Sequence, residues 1–296
     1  MILAAIDIGS NAARLLISEV IQETDGVTSF KKLNLLRVPL RLGFDVFDHQ
    51  EIGAEKIEML EQTMLSYKHL MQAYKVTALK AFATSAMRDA KNSSEIIKRI
   101  VANTGIQIEI ISGDKEADLV YENHIAENMD KEHSYLYVDV GGGSTEISFY
   151  SKGISVFKKS FNIGTIRLLQ NGVSEAQWDD LRDTLKLVTK GHQEVVGIGS
   201  GGNINKVFSM SKRKDGKPLP VALLKDYYRE LSAVTLAERV KQYDLRPDRA
   251  DVIVPALLIY LNTMRWAGAE EIYVPKIGLA DGLIKNMWEE ISKKKK

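Results

Sequence analysis

One short pattern occurs twice in this chain and constrains its architecture more than any other feature. Ile6-Asp7-Ile8-Gly9-Ser10-Asn11, near the start, is matched by Val138-Asp139-Val140-Gly141-Gly142-Gly143-Ser144, near the middle. Each copy is an apolar strand, an Asp close to its end, a glycine turn carrying a hydroxyl, and a second extended run. The second run is Ala13 to Val20 in one copy and Glu146 to Tyr150 in the other. Such a repeat implies two units of related fold, and 296 residues are enough for two domains.

The segments after the first copy alternate in type. Ile57, Leu60, Met64, Leu65 and Leu70 recur at helical spacing between Ile52 and Tyr74. A strand over Val76–Phe82, a helix over Ser94–Ala102 and a strand over Ile106–Ile111 follow. This alternation predicts α/β domains with helices packed on a sheet. We expect domain I over residues 1–127, completed by a C-terminal helix over 279–296, and domain II over 128–278. The boundary is expected in the polar stretch Glu127–Glu132.

Three glycine turns carry the chemistry: Gly9-Ser10-Asn11, Gly141 to Thr145, and Gly199-Ser200-Gly201-Gly202-Asn203. A residue without Cβ lets backbone N–H groups approach an anion, and neighbouring hydroxyls and amides add neutral donors. The third turn follows a strand over Glu194–Ile198 and opens a helix, whose first N–H groups also favour anions. Any one of these is an ordinary hairpin or loop, but three of the same chemistry point to phosphate. Asp7 and Asp139 sit where a strand opens onto its turn. Taken singly each reads as a local Asx-turn, whereas the matched pair suggests oxygen ligands for a magnesium-type ion.

Two further residues admit two readings each. Glu116 lies in a strand-to-helix turn, where Ser112 or Asp114 caps the helix and an acid simply suits the helix start. Near phosphate loops, the same carboxylate is placed to deprotonate an attacking water. Arg88, in Thr84-Ser85-Ala86-Met87-Arg88-Asp89-Ala90, is either a surface partner of Asp89 or a two-point ligand for phosphoryl oxygens.

Composition removes other classes. With no cysteine, the chain has no disulfide, thiolate zinc site, iron–sulfur cluster or cysteine nucleophile. Forty basic and 39 acidic residues leave a net charge of +1, which does not suit a general nucleic-acid coat. There is no Gly-x4-Gly-Lys-Ser/Thr loop, His-Glu-x-x-His or Gly-x-Ser-x-Gly. The five histidines are scattered, and Trp178 and Trp266 read as core residues. The longest apolar stretch, Val252 to Leu261, is far short of the roughly 20 residues that span a bilayer. No signal peptide is read at the start, so a soluble cytoplasmic protein without membrane or nucleic-acid partners is expected.

The segments Asp7 to Asn11 with Arg14, Thr84 to Ala90, Ile111 to Ala117, Asp139 to Glu146 and Arg246-Pro247-Asp248-Arg249-Ala250-Asp251 lie in order along the chain. Together they resemble the exopolyphosphatase/guanosine pentaphosphate phosphatase (Ppx/GppA) family in its short two-domain form. The resemblance implies two actin-like, ribonuclease H-like domains of the actin, sugar-kinase and heat-shock ATPase superfamily, with a cleft between them. It implies Glu116 as catalytic base and Arg88 as a ligand of the reacting phosphate. Ser10, Asn11, Gly142, Gly143, Ser144 and Thr145 would hold terminal phosphates, with Gly201 in the third turn. Mg2+ would be held by Asp139, with Asp7 and Glu146 as further acidic ligands or supports. Water would attack the terminal phosphorus in line, the protein supplying position and charge stabilisation.

The resemblance also implies a possible homodimer and a substrate that is inorganic polyphosphate or guanosine pentaphosphate. Basic candidates for a polyanion are Arg37, Arg41, Arg167 and the Lys212-Arg213-Lys214 loop. Without the helical domains of longer members, short chains and low processivity are expected. Two departures stand out: Ala280 occupies a position where members usually carry Arg, and Lys115 replaces a common Glu beside the proposed base. A non-catalytic polyphosphate or alarmone sensor, and a sugar kinase or ATPase of the same superfamily, are the alternatives from other classes.

Overall fold

A computed structural model describes residues 1–22, 28–121, 132–192, 194–275 and 278–293. The chain divides into two compact units, one formed by Met1–Asn123 with Leu279–Lys296 and the other by His124–Gly278. Of the stretch expected to hold the boundary only Glu132 is among the described residues, and His124 and residues 294–296 also lie outside them.

The first unit runs β1 (Ile2–Ile8), β2 (Ala13–Gln22), β3 (Thr28–Val38), α1 (Gly43–His49), α2 (Ala54–Ala73), β4 (Ala78–Ala83), α3 (Ser85–Asp89), α4 (Ser93–Thr104), β5 (Ile108–Ile110) and α5 (Gly113–Tyr121). Its sheet has the order β3-β2-β1-β4-β5. The first three strands are antiparallel, and β1, β4 and β5 are parallel. The apolar run of β1 follows from burial on both faces. Ala4, Ile6 and Ile8 join one cluster with α2 and α4, while Leu3 and Ala5 join another on the opposite face.

That second cluster is closed by the C-terminal helix, which belongs to this unit (Leu279–Lys293, numbered below). Leu279, Ala280, Leu283, Ile284, Met287 and Trp288 pack on Leu3, Ala5, Leu16 and Phe82. Lys32 pairs with Asp281 at 2.6 Å, and Lys80 donates to Asn286 at 2.8 Å. Ala280 is buried in this cluster, so an Arg side chain there would have to displace apolar neighbours. Leu283 is fully buried in the same cluster, and Leu283→Ala should cost about 2–5 kcal/mol in urea denaturation. A loss below about 1 kcal/mol would show that the helix contributes little to the unit.

The second unit contains β6 (Ser134–Val140), β7 (Thr145–Ser151), β8 (Ile154–Phe161), α6 (Thr165–Leu169), α7 (Glu175–Val188), β9 (Val195–Ser200) and α8 (Gly202–Met210). It continues with β10 (Leu219–Pro220), α9 (Val221–Ser232), α10 (Leu236–Gln242), α11 (Pro247–Ala250), α12 (Ile253–Ala267) and β11 (Glu271–Tyr273). The closing helix of the first unit is therefore α13. The sheet order is β10-β11-β9-β6-β7-β8. The apolar stretch around Val252 to Leu261 is the buried spine of α12, packed against Leu136, Val138 and Ile147. Among the described residues no helix is long and apolar enough to cross a membrane. Trp178 and Trp266 meet edge to face at 5.9 Å on the core's margin, as packing residues.

The two hairpins share one register. Ile8 pairs with Ala13 and Val140 with Thr145, leaving residues 9–12 and 141–144 as loops. Each loop closes on one equivalent bond, Gly9 N–H to Ala12 O at 3.0 Å and Gly141 N–H to Ser144 O at 2.9 Å. The repeat read from sequence is thus a repeat of backbone geometry.

Candidate active site

In the first unit, parallel pairing puts Ile8, Ala83 and Ile110 on one rung at the carboxyl ends of β1, β4 and β5. Ligands of open α/β sheets gather at such ends. Ser10, Ser85 and Ser112 each stand two residues past that rung. The buried Ser10 and Ser85 hydroxyls hydrogen-bond at 2.8 Å, tying the first glycine turn to α3. Arg88, on α3, donates through Nη1 to Ile111 O at 2.9 Å. Its Nε lies 4.0 Å from the Asp89 carboxylate. One face of α3 thereby links the Ser10 turn to the turn that carries Glu116.

Of the two candidate caps of α5, Ser112 is the one used: its Oγ accepts from Lys115 N–H at 3.2 Å. Glu116, in the first helical turn, donates its backbone N–H to Ser112 O at 3.0 Å and is half-buried. Lys115 directs its ammonium to Glu109 at 2.5 Å and lies 5.1 Å from the Phe82 ring centroid.

Asp7 is buried and faces Arg14 across the β1–β2 ladder, with Nη1 to Oδ2 at 3.2 Å. Burial pushes the Asp7 carboxyl above its usual value, and Arg14 offsets only part of that. Arg14 in turn sits opposite Arg37 on β3. Tyr67 packs beside this rung and donates to Ala13 O at 3.1 Å. Its phenol is pushed upward, first by burial and then by the Asp7 charge.

The second unit repeats the hairpin with a different partner. Asp139 lies opposite Glu146, so the position of Arg14 is taken by a second carboxylate. Glu146 is buried and accepts from Ser160 Oγ at 2.8 Å. Asp139 shares a rung with Ser200 of β9. Gly201 then turns with φ of +111°, and a Cβ there would stand 3.0 Å from Asp139 Oδ1. Beneath them the buried Tyr260 of α12 donates to Ser200 O, with Val138 O at 3.4 Å. Burial raises its phenol well above the usual value, and the charges of Asp139 and Glu146 add to the shift.

The remaining expected residues fall around these turns. Thr145 Oγ1 donates to Ile163 O at 2.6 Å, so its hydroxyl holds the hairpin. Ser144 is buried beside it. Arg167 braces the glycine turn, its Nε donating to Gly143 O at 2.7 Å. Arg249, in the Arg246–Asp251 segment, donates to Gly202 O and backs the third turn. Ser85, Ser160, Arg249 and Tyr260 were not singled out from sequence. Ser85 and Arg249 lie inside sequence motifs, whereas Ser160 and Tyr260 reach the site across a strand pair and from a distant helix, with no local signal. Among the described residues no three His, Asp or Glu side chains gather as a ready metal cage. Asp139 and Glu146 nonetheless form a two-carboxylate pair, the number Mg2+ commonly takes when phosphates and waters complete its shell.

Two α/β units, each opening with the same Asp-bearing hairpin, define a chain of the actin-like class. Residues 20–290 match the model of the Ppx/GppA phosphatase family, and the chain belongs to that family. A solved structure of the Aquifex aeolicus family member is 28% identical, with a TM-score of 0.76 over 98% of both chains. The exopolyphosphatase from Cytophaga hutchinsonii shares the fold at 22% identity, with a TM-score of 0.82 over 98% of both chains. Over 170 residues the chain is 35% identical to the bifunctional 3-dehydroquinate synthase/phosphatase of Fusobacterium nucleatum. That match covers 56% of this chain and only 26% of the larger protein.

Proposed function

We propose that this phosphatase is an exopolyphosphatase that hydrolyses the terminal phosphoanhydride of inorganic polyphosphate. The carrying observation is the Asp139–Glu146 carboxylate pair, set directly beside a glycine turn in a chain of the phosphatase family. In this reading Glu116 accepts the proton of the attacking water, and Arg88 offsets charge on the transferred phosphoryl group. Ser10, Asn11, Gly142, Gly143, Ser144 and Gly201 hold phosphate oxygens through backbone amides, hydroxyls and the Asn11 amide, while Thr145, expected among them, supports the turn through its bond to Ile163 O. Asp139 and Glu146 would hold Mg2+, and Asp7, already facing Arg14, would act through water. The ion would supply charge neutralisation on the phosphates.

Phosphate release should be measured from tripolyphosphate, long-chain polyphosphate, guanosine pentaphosphate and ATP, with Mg2+ and then with EDTA. Mg2+-dependent release that is fastest from inorganic chains is the expected result. Faster release from guanosine pentaphosphate would reassign the substrate to the nucleotide. Saturable binding of all four without turnover would replace the enzyme by a sensor.

A further inference from the structure

We propose that the polarity of both glycine turns is imposed from outside them, by segments that capture the turn carbonyls, and that Arg167 is a positioning residue of this kind. In the second unit Gly141 O accepts from Thr165 N–H at 3.0 Å, and Gly142 O from Ile166 N–H at 2.8 Å and Arg167 N–H at 3.3 Å. Gly143 O accepts from Arg167 Nε at 2.7 Å. Every carbonyl of the Gly141–Gly143 run is therefore turned toward the start of α6.

A trans peptide is planar, so its N–H points opposite to its C=O. The amides of Gly142, Gly143 and Ser144 are thereby aimed away from α6. Among the described residues none of the three donates to another protein group. Three successive glycines have little conformational preference of their own. A flipped peptide would present a carbonyl, not an amide, to an incoming anion. The clamp, rather than the turn's own sequence, selects the anion-binding orientation. The approach requires Gly164, where a Cβ would stand 2.4 Å from Gly142 O.

The first unit reaches the same end with an unrelated segment. Ser10 O accepts from Gly43 N–H at 2.8 Å and Asn11 O from Arg41 N–H at 2.9 Å. Arg41 takes a positive φ of 55° to do so, and its guanidinium lies 4.1 Å from the Phe44 ring centroid. Two copies of one hairpin are thus each locked by a different downstream piece of chain. Arg167, a candidate polyanion ligand by sequence, acts here through the turn.

The functional part of this inference rests on the phosphate-chain reading, so the test carries a readout independent of substrate. Arg167→Ala should raise KM for tripolyphosphate about threefold to tenfold with a smaller effect on kcat, the scale of one lost hydrogen bond. Deuterium exchange at the Thr165, Ile166 and Arg167 amides should accelerate. Arg167→Gln, a neutral donor, should restore both. Gly164→Ala should produce the same changes through the opposite element of the clamp. Unchanged exchange in Arg167→Ala would overturn the clamp. So would rescue by Arg167→Lys with none by Arg167→Gln, because Arg167 would then act as a charge on substrate. If the wild type hydrolyses no phosphate chain, the phosphatase reading fails, while exchange still decides the clamp.

Discussion

Glu116→Gln should release phosphate from tripolyphosphate about 10²- to 10⁴-fold more slowly than the wild type, the range a positioned general base supplies. The substitution keeps shape and hydrogen-bonding capacity and removes the basic oxygen. Little else should change. The side chain is half-buried in the first turn of α5, and that turn is held by backbone and by Ser112, through Lys115 N–H to Ser112 Oγ and Glu116 N–H to Ser112 O. KM should stay within a fewfold range, and calorimetry should show tripolyphosphate binding intact. A variant within tenfold of wild-type turnover would remove Glu116 from the chemistry. An acid at a helix N-terminus would then be all that remains of its role.

Asp7→Asn should separate stability from activity. The folded Asp7 carboxyl titrates above its ordinary value because burial outweighs the attraction of Arg14. Between the ordinary and the raised value the folded state binds more protons than the unfolded state. Stability therefore falls as pH rises through that window, and the group's contribution is fully present only below it. Asparagine has no such slope. In EDTA, Asp7→Asn should be at least as stable as the wild type at pH 8 and should lose that advantage toward pH 4, as followed by urea denaturation. Activity should drop about 10²-fold, the scale of removing one electrostatic contributor from a phosphate site. Destabilisation by more than about 2 kcal/mol at pH 8 would mean that stranding Arg14 without its carboxylate costs more than relieving the burial of Asp7 gains.

The legible parts of this chain were those encoded by local patterns. An apolar run buried on both faces identified β1, and helical spacing identified α2 within two residues at each end. β5 proved shorter than expected, covering Ile108–Ile110. The one-turn helices α3 and α6 leave no periodic signal, since five residues are too few for one.

The sequence by itself determined the repeat. Two Asp-bearing strands, two glycine turns and their chemistry were visible because a hairpin is a local object with a fixed side-chain period. The same local register sets what stands opposite each Asp, the residue seven positions further on in both copies. Arg14 and Glu146 occupy equivalent positions across their hairpins, making one site a carboxylate–guanidinium pair and the other a pair of carboxylates. Tertiary structure alone decided which way the turn amides point. The Gly141–Gly143 run leaves that choice open, and in both turns the carbonyl acceptors are claimed by residues that lie far along the chain, beyond any sequence period.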